Sequence, residues 1–173
     1  MLKLVVFDAD KTLWDHHNIS DFEEPLKLVG TDSVEDSKGN KLTLFPYVRE
    51  ALKEIKSMNL LLGLATWNIP QKTERVLKLL NLWDMFDFIA SNDYPYKFLG
   101  LTEIILKARE RGYRIRPEEI AFFDDRRVHF GNVWLYLGRV NCFEMWTDVK
   151  SFKEVVEVVK SLMNEGPRNT FKS

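Results

Sequence analysis

The sequence predicts an α/β fold built on a parallel sheet, and three observations carry that expectation. Five short apolar runs, rich in β-branched and aromatic residues, alternate with segments whose apolar residues recur every three or four positions. The connections between them are short, the pattern of βαβ units with right-handed crossovers. Acids or a hydroxyl stand at the carboxyl ends of three of the five runs, where open parallel sheets place their chemistry.

The first run holds Leu2, Leu4, Val5, Val6 and Phe7, which suits a strand covered on both faces. It ends at Asp8 and Asp10, with Thr12 two residues further on. Residues 15–45 are polar and irregular, broken by Pro25 and Gly30. Within them Ser37-Lys38-Gly39-Asn40 is a turn signal between Val34 and Leu42-Leu44, so a small flap or hairpin is expected, too short for a cap domain. Pro46 opens a helix carrying Val48, Leu52, Ile55 and Met58. Leu60 to Ala65 reads as a second buried strand, ending at Thr66-Trp67-Asn68, and Pro70 starts a helix with Val76, Leu77 and Leu80 inward. Phe86 to Ala90 is a third strand, followed by a helix from Leu99 to Arg111 that turns Leu101, Ile104, Ile105 and Ala108 inward. Pro117-Glu118-Glu119 leads into the strand Ile120 to Phe123, which ends at Asp124-Asp125. A helix around Val128–Leu137, a strand at Val140–Met145 and a helix at Phe152–Met163 complete the alternation. Residues 1–165 are expected to form one domain, and 166–173 a flexible tail.

Composition narrows the function classes. The chain has 173 residues, enough for a sizeable core in one domain. A net charge of −1 offers no polyanion-binding surface, so nucleic acid is not an expected partner. The single cysteine, Cys142, excludes an internal disulfide and a thiolate zinc cluster, and its neighbours Val140 and Phe143 suggest a core thiol. No apolar run reaches membrane-spanning length, and Leu2–Phe7 followed by acids is not a signal peptide, so a cytoplasmic setting without membrane contact is expected. Nothing in the sequence bears on oligomeric state.

The chemistry concentrates at the strand ends. An Asp after a strand can simply cap a turn. Two at i and i+2 on extended backbone point the same way and repel unless a cation lies between them or one is protonated. A hard divalent ion such as Mg²⁺, which takes one or two carboxylates plus phosphate oxygens and water, answers that repulsion. In a parallel sheet Asp8 and Asp10 share an edge with Thr66 and Asp124-Asp125. Thr66 precedes a helix, where a hydroxyl and free N–H groups can either cap or hold an anion. Lys97 precedes the third helix; alone it reads as a solvated side chain. His16-His17 reads as solvated loop, because adjacent side chains diverge, and His129 as helix surface.

These residues resemble a known family. Phe7-Asp8-Ala9-Asp10-Lys11-Thr12-Leu13-Trp14, Thr66, Lys97 and Phe122-Phe123-Asp124-Asp125 look like the four motifs of the haloacid dehalogenase (HAD) superfamily. Leu44-Phe45-Pro46, Tyr94-Pro95 and the Arg126 that follows Asp125 extend the resemblance to the magnesium-dependent phosphatase-1 family over most of the chain. The resemblance implies a Rossmann-like three-layer sandwich, strand order 3-2-1-4-5, no large cap, and Mg²⁺-dependent hydrolysis of phosphate esters. Asp8 would be the nucleophile that becomes an aspartyl-phosphate, and Asp10 the general acid and then the base. Mg²⁺ would be held by Asp8, the backbone carbonyl of Asp10, and Asp124, with Asp125 directly or through water. Thr66, the backbone N–H groups beside it at Trp67, and Lys97 would hold the phosphoryl oxygens.

Trp67-Asn68 stands where smaller polar residues are expected in that family, and Arg126-Arg127-Val128-His129 and Asn132 follow the last acids. These differences bear on substrate rather than on phosphoryl chemistry. Trp14 and Asn68 are candidates for the wall of the substrate mouth, and Trp67 for stacking a flat leaving group. Aryl or phosphotyrosine-like esters and small sugar phosphates are the expected substrates. A phosphoprotein or nucleic-acid-end phosphatase, and a non-catalytic binding protein of the same fold, are the alternatives. Asp10 disfavours a dehalogenase, since displacing halide from carbon needs neither an acid on an ester oxygen nor Mg²⁺.

Overall fold

The apolar runs become a parallel sheet in the computed structural model, which describes residues 1–165. In chain order the strands are β1 (Leu4–Phe7), β2 (Lys27–Val29), β3 (Ser33–Glu35), β4 (Lys41–Thr43), β5 (Leu61–Trp67), β6 (Phe88–Asn92), β7 (Ile120–Asp124) and β8 (Asn141–Glu144). The α-helices are α1 (Val48–Ser57), α2 (Pro70–Leu79), α3 (Lys97–Glu110), α4 (Phe130–Leu137) and α5 (Phe152–Glu165). The main sheet runs β6-β5-β1-β7-β8 with every neighbouring pair parallel. Numbered by its own members that is 3-2-1-4-5, as the resemblance implies. The expected tail at 166–173 lies outside the described residues.

Strand alternation builds two cores. Val5 and Phe7 of β1 face a cluster completed by Leu52 and Ile55 of α1, Val76 and Leu77 of α2, and Phe152, Val155 and Val159 of α5. Leu4 and Val6 point to the other side, against Leu101, Ile104 and Ala108 of α3 and Phe130 and Val133 of α4. Helices therefore cover both faces, and β1 is buried throughout, which is why it reads as an unbroken apolar run. Gly63 lets α3 come close: a Cβ there would lie 3.3 Å from side-chain atoms of Ile104 and Val6. Cys142 is buried, and burial pushes its thiol far above the ordinary range. No helix among the described residues is long and apolar enough to cross a membrane.

The insert folds as an antiparallel three-stranded sheet, β2-β3-β4. The expected hairpin is β3–β4. Its turn is built on Asp36, a buried carboxylate that accepts from the backbone N–H groups of Glu23, Lys38 and Asn40 and from Asn40 Nδ2 at 2.7–3.0 Å. Burial raises the Asp36 pKa, but these four donors outweigh it and hold the pKa at about 2. A depressed folded-state pKa stabilises above the ordinary carboxylate range and loses that contribution as pH falls through about 2. Asp36→Ala is therefore expected to speed amide exchange at Lys38 and Asn40 at neutral pH. Unchanged protection would show that the turn holds without the carboxylate.

Candidate active site

The site forms because β1 lies between β5 and β7. The Asp8 N–H donates to Phe123 O at 2.9 Å, so Asp8 extends the ladder and meets the acids at the end of β7. One carboxylate oxygen each from Asp8, Asp124 and Asp125 lies within 4.8 Å of the others. Lys97, the first residue of α3, brings its ammonium to Asp8 and Asp124. Its Nζ donates to Asp8 Oδ1, to Asp124 Oδ2 at 3.0 Å and to Ala65 O at 3.2 Å. Thr12 Oγ1 donates to Asp8 Oδ2 at 3.1 Å, with Asp125 Oδ1 at 3.5 Å as a second acceptor. The Arg126 N–H donates to Asp124 Oδ1 at 2.9 Å.

After Asp8 the chain makes one tight turn, with Thr12 N–H and Leu13 N–H both donating to Ala9 O and Lys11 at φ 59°. The turn carries Trp14 back beneath Asp10. Trp14 Nε1 donates to Asp10 Oδ1 at 2.9 Å, Ile19 N–H to the same oxygen at 3.3 Å, and Asn68 Nδ2 to Asp10 Oδ2 at 2.9 Å. Asn68 Nδ2 also donates to Thr66 Oγ1 at 2.8 Å.

Charge is unbalanced here. Burial, and then the Asp124 carboxylate, push the Asp8 pKa well above its ordinary value, against the pull of Lys97. Burial alone would lower the Lys97 pKa, but the Asp124 and Asp8 carboxylates reverse this and hold it protonated. Burial also raises Asp125 and Asp10, the latter opposed by the donors Trp14, Asn68 and Ile19. Three clustered carboxylates, two of them bonded to one ammonium, outnumber the positive charge beside them. An all-oxygen donor set of that kind suits a hard divalent cation such as Mg²⁺.

The cluster forms the floor of a cleft of about 450 Å³ lined by Asp8, Asp10, Thr66, Trp67, Lys97, Asp124 and Asp125. Trp67 is 45% exposed at its wall. Two sequence expectations need correction. Trp14 and Asn68 do not wall the mouth, since both have 0% exposure. Trp14 is turned inward by the 9–16 loop, and the Asn68 amide is consumed by hydrogen bonds to Asp10, Thr66 and Ser20. One histidine also differs from expectation. His129 is half-buried in the cleft wall rather than on open helix surface, whereas His17 is exposed, as a solvated loop residue should be, and reaches the cleft with Ser20 and Arg126. Burial, and Lys97 and Arg126 against the pull of Asp124, lower the His129 pKa. Nothing in the polar insert marks Ser20, whereas Thr12 stands inside the first motif.

Comparison with known proteins agrees with this geometry. Residues 1–135 match the sequence profile of the Acid Phosphatase family. The chain is 29% identical to human magnesium-dependent phosphatase 1 over 131 residues, covering 76% of this chain and 72% of that protein. Its fold is similar to that of a HAD-superfamily hydrolase from Ehrlichia chaffeensis (TM-score 0.66, 16% identity, 95% of this chain and 100% of that one). It is also similar to the N-terminal part of a Bacteroides fragilis protein containing a phosphatase domain complexed with Mg (TM-score 0.64, 16% identity, 94% of this chain and 40% of that one).

Proposed function

The chain belongs to the acid phosphatase family, and from that premise we propose that it is a Mg²⁺-dependent phosphatase that hydrolyses phosphate monoesters through an aspartyl-phosphate at Asp8. The observation that carries this reading is the clustering of Asp8, Asp124 and Asp125, with the Lys97 ammonium bonded to Asp8 and Asp124, in an open cleft. Asp8, Asp124, Asp125 and the backbone carbonyl of Asp10 would hold Mg²⁺, which when bound supplies positive charge against the repulsion between a carboxylate and a phosphate dianion.

The chain's own groups do the rest. Lys97 and Thr66 bind the phosphoryl oxygens, with backbone N–H groups near Trp67. A carboxylate oxygen of Asp8 forms the bond to phosphorus while the ester P–O bond breaks, and Asp10 delivers a proton to the departing oxygen. In the second step Asp10, now ionised, takes a proton from the attacking water. The new P–O bond displaces the Asp8 carboxylate and releases inorganic phosphate. Thr12, donating to Asp8 Oδ2, fixes the rotation of the nucleophile.

The half-exposed Trp67 ring selects flat leaving groups. Phosphate release from aryl, sugar and peptide phosphates tests the proposal. We expect Trp67→Ala to lower kcat/KM for an aryl phosphate by roughly two- to tenfold more than for a sugar phosphate, from about 0.5–1.5 kcal/mol of ring contact. An equal loss on both would remove selective stacking, and no release from any ester would remove the phosphatase reading.

A further inference from the structure

We infer that Asn68 is the positioning residue of this site: its buried amide ties the Asp10 carboxylate to the Thr66 hydroxyl, and Ser20 of the insert locks that amide in one orientation. The inference rests on the roles proposed above for Asp8, Asp10 and Thr66.

The direction of each hydrogen bond follows from the Asp10 carboxylate, which when ionised can only accept. The Asn68 amide nitrogen therefore faces it, and the amide oxygen faces Ser20. A backbone N–H can only donate, and that of Ile69 donates to Ser20 Oγ at 3.0 Å. Ser20 spends its one hydroxyl proton on Asn68 Oδ1, 2.8 Å away. Both amide hydrogens face the other way. They reach Asp10 Oδ2 at 2.9 Å and Thr66 Oγ1 at 2.8 Å. Each polar atom of the Asn68 side chain is thus engaged, and the residue has no exposed surface.

Two consequences follow for the chemistry. Asp10 Oδ1 already accepts from Trp14 Nε1 and Ile19 N–H, while among the described residues Oδ2 accepts from Asn68 alone. A carboxylate oxygen has two lone-pair sites, so the transferable proton has its place on Oδ2, in a direction set by Asn68. Thr66 Oγ1, by accepting from Asn68, keeps its own proton for a phosphoryl oxygen. One amide thereby aims both the acid and a phosphate-binding hydroxyl. Ser20 lines the cleft from the insert, which makes residues 15–45 a support for the acid as well as a wall.

A structural role and a positioning role separate on the leaving group. An alkoxide needs a proton as it departs, whereas a nitrophenolate does not, and kcat/KM reports that first step alone. Asn68→Ala is expected to lower kcat/KM for an alkyl phosphate about ten- to a hundredfold more than for a nitrophenyl phosphate, a share of the ~10²–10⁴-fold that general acids supply. Because removing a buried amide can also unsettle the fold, Ser20→Ala provides the second variant. It should show the same selectivity with a smaller loss, and Ser20→Thr, which keeps the hydroxyl, should restore it. Equal losses on both esters in Asn68→Ala and Ser20→Ala, or no loss in either, would overturn the inference. If instead the wild type hydrolyses neither ester, or Asp8→Asn turns over as fast as wild type, the phosphatase reading itself falls.

Discussion

Asp8→Asn stops phosphate release, with kcat down by at least about 10⁴-fold, and the protein does not melt at a lower temperature. The first half follows from the loss of the carboxylate just after β1, which bonds both Lys97 and Thr12 and lines the cleft. An amide oxygen is a poor nucleophile toward phosphorus and cannot carry the phosphoryl group as a carboxylate does. The second half follows from electrostatics. Burial and Asp124 disfavour the Asp8 anion in the folded protein, so a neutral isostere relieves repulsion while Lys97 keeps its bond to Asp124. Steady-state kinetics and a thermal melt check both halves. Turnover within tenfold of wild type would place the nucleophile elsewhere.

Lys97→Met has the opposite stability signature. It removes the ammonium that bonds Asp8 and Asp124, both side chains being under 10% exposed. Breaking a buried pair by removing one partner costs about 3–5 kcal/mol, which for a chain of this size lowers Tm by roughly 6–20 °C. The sign of the pH dependence follows from the same residues. Without Lys97 the Asp8 pKa rises further, so the loss is largest at neutral pH and shrinks as acid protonates Asp8. Added Mg²⁺ recovers part of the loss, and turnover falls because the phosphoryl oxygens lose a cation. Calorimetry in EDTA over a range of pH tests this. A variant as stable as wild type at neutral pH would mean the cluster needs no counter-charge.

The sheet was legible because its strands are short, apolar and evenly spaced, and because Asp8, Thr66 and Asp124 stand where apolar runs end. Parallel order then leaves those ends no choice but to share an edge. Lys97 was visible only through the motif, since one lysine before a helix looks like any other. Trp14 was ambiguous for a physical reason: an indole beside a motif can face solvent or core. The turn at Lys11, with its positive φ, decides for the core. Strand β2 escaped notice because its three residues are largely exposed and lack alternation. The place of Ser20 rests on hydrogen bonds to residues nearly fifty positions away, which no local pattern encodes.

The account depends on one divalent cation shared by the acids that end β1 and β7. Calorimetric titration of EDTA-stripped protein with Mg²⁺, run beside phosphate release, tests it most directly. The account predicts one binding event in the wild type, loss of that event in Asp124→Asn, and activity that returns as the site fills. Hydrolysis that persists in EDTA, or Mg²⁺ binding untouched by Asp124→Asn, would contradict it.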